Sequence, residues 1–320
     1  MAAKRIIKFV YNNFYVPLFN VFFYLKIAKK FSVDSKSLPL TSDHRKLYFI
    51  IHSLVLRRLK RFPNLINPEG FNDKIQWLKL FDQSEIQVTC SDKVLAKEFF
   101  SERVGSHHII KTLQVAKSYK EIDFSSLPDR FVMKTNHDSG TVVVVKDKAL
   151  LNHFKAKLQL VIALRTNFGY VVGEWAYTRV KRRILIEEFI DSDAGISDYK
   201  FYVVEGKVKF CHYIFDREHN AKGQIISKKG EVTGLSLHKK FDGSFHEFVV
   251  PESWQDMVKL AEELGRDFRC VRVDLYSERG KNYVGELTFW PQAGCYKGRD
   301  EKEIGSFLDF DMSKFKKSVW

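Results

Sequence analysis

The chain has 320 residues, 45% hydrophobic and 14% aromatic, enough to bury one large core or two modest ones, so disorder and disulfide-stapled miniprotein classes are excluded. Its 53 Lys and Arg against 39 Asp and Glu give a formal charge of +14, which points to an anionic partner: nucleic acid, a membrane surface or a phosphorylated substrate. The excess is local, because residues 1–62 hold 13 basic side chains and only Asp34 and Asp43 as acids, leaving 40 against 37 over the rest.

Phe9 to Leu25 is a run of 17 uncharged residues between Lys8 and Lys26, at the lower limit for a membrane span. Asn12, Asn13, Pro17 and Asn20 interrupt it, and its many aromatic rings suit a headgroup boundary, with the flanking lysine and arginine clusters adding attraction to anionic lipid. Two readings of residues 1–62 stand: a helical region on an anionic membrane surface, or one packed on the domain behind it. A second helix is expected from Ser42/Asp43 to about Arg61, with Leu47, Ile50, Ile51 and Leu54 at helical spacing and Pro63 ending it.

Beyond residue 62 the pattern is mixed. Residues 63–129 read as helical, with Asn72 as the cap of an amphipathic helix carrying Ile75, Leu78 and Phe81, and a further helix opening near Ser91. Arg130 to Lys134 and Thr141 to Val145 read as strands around a small-residue loop, Thr135 to Gly140. Such a loop beside Lys134 lets backbone N–H groups approach phosphate oxygens, although Ser and Gly serve any turn. Strands follow at 183–190, with the pair Glu187-Glu188, at 198–204, where Asp198, Lys200 and Tyr202 share a face, and at 207–216. Residues 218–248 read as a polar connection, and a helix starting at Pro251 turns Trp254, Met257, Ala261 and Leu264 inward before Gly265 stops it.

Residues 270–291 read as two strands about a turn near Gly280. A symmetric turn sets Asp274 opposite Glu286 and Arg272 opposite Thr288. Two carboxylates with Cβ atoms about 5 Å apart repel unless something positive lies between them. A divalent cation, with Thr288 as a neutral oxygen ligand, meets that need; the alternative is that one of the two acids turns to solvent or pairs with Arg272 or Lys281. A bulge would break the register.

The four cysteines (Cys90, Cys211, Cys270, Cys295) form no CxxC pair and have no histidine at zinc-finger spacing, so a reducing compartment, the cytoplasm, is expected.

The order of these pieces resembles the ATP-grasp superfamily. Within it the segments FNDKIQWLKLFD, SLPDRFVMKTNHDSG, ILIEEFI, DYKFYVVEGK, RVDLY and GELTFWPQAG, spread over residues 65–310, are similar to the teichuronopeptide-biosynthesis (TupA-like) family. The resemblance implies an α+β ATP-grasp fold behind the N-terminal extension: a small subdomain at 130–190 and a C-terminal one at 191–320 clamping ATP with Mg²⁺. It implies that Lys93 and Lys134 bind phosphates, that the loop with His137, Ser139 and Gly140 closes over them, and that the Ile186–Phe189 segment passes the adenine, with Glu187 or Glu188 accepting from its amino group. By the same resemblance Asp198 and Lys200 touch ribose and phosphates, Asp274, Glu286 and Thr288 hold Mg²⁺, and Arg217, Arg272 and Lys200 act at the transferred phosphoryl group.

Two residues depart from the family pattern: Asp138 stands where relatives have a second Gly, and Thr288 where most have Asn. The function implied is an ADP-forming carboxylate–amine ligase that attaches an amino acid or amine to a uronic-acid-type sugar in cell-surface polysaccharide synthesis, peripheral on the inner face of the membrane. A sugar phosphotransferase and a non-catalytic, membrane-associated glycan-binding module compete with it. A nucleic-acid partner is disfavoured, because the positive charge lies outside the expected cleft and no motif of that class occurs.

Overall fold

The computed structural model describes residues 24–191, 197–215, 222–239 and 247–313. Most of the Phe9–Leu25 run therefore lies outside the described residues, as does Arg217. The two helices after that run pack on the domain. Helices α1 (Tyr24–Asp34) and α2 (Ser42–Leu59) bury Ile27, Leu47, Tyr48 and Ile51 in the main core, each 0–1% exposed. Full burial of such side chains is worth about 1.5–3 kcal/mol apiece, so this pair belongs to the fold. Asp34 is buried with them, accepting from Tyr48 Oη (2.7 Å) and Lys30 Nζ (3.1 Å). Thr41, one residue earlier than expected, opens α2 by donating its backbone N–H to His44 Nδ1 (3.1 Å), and Lys60 in the left-handed region stops it. Among the described residues no helix is long and apolar enough to cross a membrane.

Helix α3 (Phe71–Phe81) is buried almost all round rather than amphipathic. Gly70 takes the cap position, and Asn72 instead exchanges two hydrogen bonds with the backbone of Tyr296, donating at 3.0 Å and accepting at 2.8 Å. An amide satisfies a backbone donor and acceptor together, which is why a polar residue is tolerated there. Residues 63–129 do not stand as a unit: α3, α4 (Glu85–Ser91) and α5 (Ala96–Val104) contribute to the same core as the large sheet, whereas β1 (Thr112–Ala116) joins the small one.

The small sheet, entirely antiparallel, runs β1-β4-β2-β3, with β2 at Phe131–Thr135, β3 at Val142–Val145 and β4 at Ile184–Glu188. Helix α6 (His153–Arg165) covers one face, closing a separate core around Phe131, Met133, Leu160 and Ile186. Two short helices, α7 (Phe168–Val172) and α8 (Ala176–Arg179), lead back to β4. The large sheet, also antiparallel, runs β7-β6-β5-β8-β9: β5 is Ser197–Val204, β6 Lys207–Phe215, β7 Lys222–Ser227, β8 Cys270–Glu278 and β9 Lys281–Thr288. Strand β7 lies inside the stretch expected to be a plain connection; Ile225 and Ile226, both buried, are the apolar signal among its polar neighbours. Helix α9 (Trp254–Gly265) buries Trp254, Met257, Ala261 and Leu264 against this sheet, as their spacing predicts.

The β8–β9 hairpin turns at Arg279-Gly280, both with positive φ (50° and 77°), the two-residue turn whose twist suits antiparallel strands. Pairing from that turn matches Glu278 with Lys281 and Leu275 with Val284, one residue out of the symmetric register. A bulge at Gly285 absorbs the difference and restores Asp274 opposite Glu286 and Arg272 opposite Thr288. Only glycine fits: a Cβ there would lie 2.8 Å from the Tyr276 ring.

Candidate functional site

Between the two sheets lies a cleft of about 440 Å³, within the range of small-molecule sites. The small sheet gives it Lys134 from β2 and Asp138, Ser139 and Gly140 from the loop that follows; the large sheet gives Lys200 from β5, Arg272 and Asp274 from β8, and Glu286 and Thr288 from β9. Lys93 stands at the junction, donating to the Asp138 carbonyl at 2.6 Å and lying 3.6 Å from Glu286.

The loop is braced from within. Asn136 donates to Asp92 Oδ1 (2.8 Å) and to the Lys181 carbonyl (2.9 Å), and accepts from the Arg183 backbone N–H (2.7 Å). The Asp138 carboxylate is buried and accepts from the hydroxyls of Thr135 and Thr141, so its oxygens are taken up within the loop. That removes the electrostatic objection to an acid in a phosphate loop and leaves Ser139 and Gly140 exposed at the tip. His137 corrects its assignment as a nucleotide ligand: it is 1% exposed, is not among the cleft-lining residues, and burial lowers its pKa.

The acidic pair on β4 is a second correction. Glu187 is buried between Lys134 (2.5 Å) and Lys97 of α5 (2.6 Å). Burial alone would raise its pKa, but the two ammonium groups hold it below the ordinary value. It is therefore an anion committed to positioning the lysines, not an acceptor for an adenine amino group. Glu188 is exposed and not among the cleft-lining residues, and Phe189 lies beneath the Arg130 guanidinium, 5.3 Å from ring centroid to cation.

On the large sheet, Arg272 grips Asp274 through two bonds (2.6 and 2.7 Å), donates to Thr288 Oγ1 (3.0 Å) and lies 3.5 Å from Glu286. Lys200 donates to the same Asp274 oxygen at 2.6 Å and approaches Asp198, fully buried beneath it, at 3.4 Å. The repulsion expected between the facing carboxylates is thus met by Arg272, the alternative to a cation. Burial would push Asp274 up, but Arg272 and Lys200 hold it below the usual carboxylate range. Glu286 is the freer acid, with longer contacts to Thr288 (3.3 Å), Arg272 and Lys93. Among the described residues no cluster of three or more His, Cys, Asp or Glu could hold a metal alone. Two acids and a hydroxyl fit a magnesium ion that shares its shell with phosphate oxygens, which is how this ion is commonly held.

Sequence reasoning missed part of the cleft: Arg58 at the end of α2, Glu174 and Tyr177 around α8, and Trp290, Gln292 and Ala293 after β9. Glu174 is 6% exposed and burial raises its pKa to about 7. Gln292 and Ala293 both have positive φ (51° and 55°), held by Gln76 and the fully buried Lys79 of α3, which donate to the Ala293 carbonyl.

Residues 73–308 match the family model described as TupA-like ATPgrasp. The chain belongs to that family. No curated protein matches it at the level of sequence. Solved ATP-grasp structures are similar at low identity. D-alanine–D-alanine ligase from Bacillus anthracis complexed with ATP is 17% identical, with 69% of this chain and 62% of that one covered and a TM-score of 0.39. The corresponding ligase from Helicobacter pylori gives 19%, 75%, 69% and 0.40. The ATP-grasp ligase PsnB, complexed with minimal precursor, Mg and ADP, gives 11%, 68%, 57% and 0.37. The chain thus spans about three fifths of the length of the first of these ligases and of PsnB.

Proposed function

We propose that this ATP-grasp protein is an ADP-forming ligase that joins a carboxylate to an amine, the carboxylate belonging to a uronic-acid-type sugar and the amine to an amino acid or related compound, in cell-surface polysaccharide synthesis. The observation that carries the reading is one cleft in which Lys93, Lys134, Lys200 and Arg272 converge around Asp274 and Glu286. That charge pattern suits a polyphosphate.

In this reading Lys134 and Lys93 hold phosphates, and the Ser139-Gly140 tip shields them from water. Lys200 and Arg272 neutralise charge on the phosphoryl group as it passes from ATP to a carboxylate oxygen, releasing ADP. Glu286 and Asp274 would hold a magnesium ion, which would supply further charge neutralisation at the phosphates. An amine then attacks the acyl carbon, the C–N bond forms, and the C–O bond to phosphate breaks. Family membership supports the ATP-dependent step; the sugar and the polysaccharide come from the family resemblance alone. Supply of ATP and four buried free cysteines favour the cytoplasm. Purified protein should release ADP only when a uronate and an amine are both present; release with a sugar lacking a carboxylate would instead identify a phosphotransferase.

A further inference from the structure

Part of the cleft wall comes from neither sheet: Arg58, the end of α7, Glu174 and the Gln292-Ala293 turn. We propose that this wall seats the amine substrate and that the substrate is a zwitterionic amino acid, its ammonium group against Glu174 and its carboxylate against Arg58. The inference rests on the ligase reading above.

Glu174 is nine-tenths buried yet reaches the cleft, and among the described residues no hydrogen bond or ion pair closes on its carboxyl group. Buried carboxyl groups are ordinarily paired. The nearby candidate, Lys79, spends its ammonium on the Val172 (2.8 Å) and Ala293 (2.9 Å) carbonyls. The same lysine fixes a turn with two left-handed, non-glycine residues, Gln292 and Ala293, the kind of strain that is kept where it shapes a site. Arg58 is exposed and held by a long 3.4 Å bond to the Gln292 carbonyl. It forms no ion pair with Glu174, so both charges face the cleft separately.

A ligand with one positive and one negative end meets both groups. A simple amine leaves Arg58 unused, and a uronate meets repulsion from Glu174. Arg58 also lies outside the family-matched segment, which makes this half of the recognition a contribution of the chain's own N-terminal region.

Chemistry follows from the placement. An ammonium must lose a proton before it can attack, and the Glu174 carboxylate is positioned to take it. Its pKa, raised to about 7 by burial, lets it do so near neutrality; Lys79, Arg58 and Arg272 lower that value and Glu286 raises it. The nitrogen's second proton departs with the phosphate as the amide forms, and Glu174 returns its own to solvent.

The test uses the full-length protein with ATP, Mg²⁺ and D-glucuronate. Hydroxylamine traps an acyl phosphate as hydroxamate without needing the amine subsite; the twenty standard amino acids and ethylamine are the competing acceptors. In Glu174→Gln and Arg58→Gln the ratio of amino-acid amidation to hydroxamate formation should fall at least tenfold, with Arg58→Gln leaving the ratio for ethylamine within about twofold. Absence of hydroxamate from the wild type would sink the ligase reading itself. Hydroxamate from the wild type with no amino acid accepted, with ratios unmoved in the variants, or with ethylamine affected as strongly as amino acids by Arg58→Gln, would overturn the amine subsite.

Discussion

Each sheet carries one buried carboxylate held by two cations: Glu187 between Lys97 and Lys134 on the small sheet, Asp274 between Arg272 and Lys200 on the large one. Each trio is left with one net positive charge. The difference lies in the cations. Arg272 sits two residues from Asp274 on the same strand and binds it through two parallel bonds, a rigid fork that also reaches Thr288 and Glu286. Glu187 is met by lysines from a helix and from the neighbouring strand, each a point charge on a flexible stem. The large sheet therefore presents a fixed charge surface, and the small sheet a lysine on a flexible stem.

Asp274→Asn breaks the rigid side of that comparison and should have the largest effect. It leaves buried Arg272 with only the longer 3.5 Å contact to Glu286, so unfolding by urea should show a loss of up to about 3–5 kcal/mol. The pH dependence supplies its control. A carboxyl whose folded pKa lies below its unfolded value contributes stability that is present above the unfolded pKa, about 4, and lost as pH falls through the folded one. The difference between Asp274→Asn and wild type should therefore narrow below pH 4. A variant as stable as wild type at pH 7 would show that metal, not Arg272, is the partner this acid needs.

Lys134→Ala tests the mobile side. Lys97 remains to neutralise Glu187, so the fold should survive while ATP affinity falls by about 1–3 kcal/mol, read by calorimetry. Unchanged affinity would remove Lys134 from the phosphate site.

The smallest effect on turnover should come from removing residues 1–23, since the described part of the N-terminal region is already packed through Ile27 and α2. Binding to anionic liposomes should weaken, and in the full chain it should decline as salt rises, with turnover on soluble substrates largely kept. Liposome binding unaffected by the truncation would end the membrane proposal.

The pieces legible in the sequence were those governed by short periods. Alternation placed β2, β5, β8 and β9, helical spacing placed α2 and α9, and both alternatives for Asp274 and Glu286 followed from counting along one hairpin. Counting also showed its limit, since the true turn is one residue off symmetric and Gly285 makes up the difference. Contacts closed by distant chain segments were not legible. Glu174 falls between two helices too short to show a period, and Arg58 reaches the cleft only because α2 docks beside a turn more than 200 residues later. The role of Asp138 was hidden for another reason: its identity argues against a phosphate loop until the two threonine hydroxyls that take up its oxygens are known.

The glycine at 285 makes the hairpin's chemistry a matter of parity. Up to Val284 the strand keeps count with the turn, and after Gly285 every side chain changes sides. Without that one residue Glu286 and Thr288 would face the core and Leu287 the cleft, with the composition of the strand almost untouched. A change in the number of residues here would thus do more harm than most changes in their kind. The length of β9 is as much a part of the site as the acids it carries.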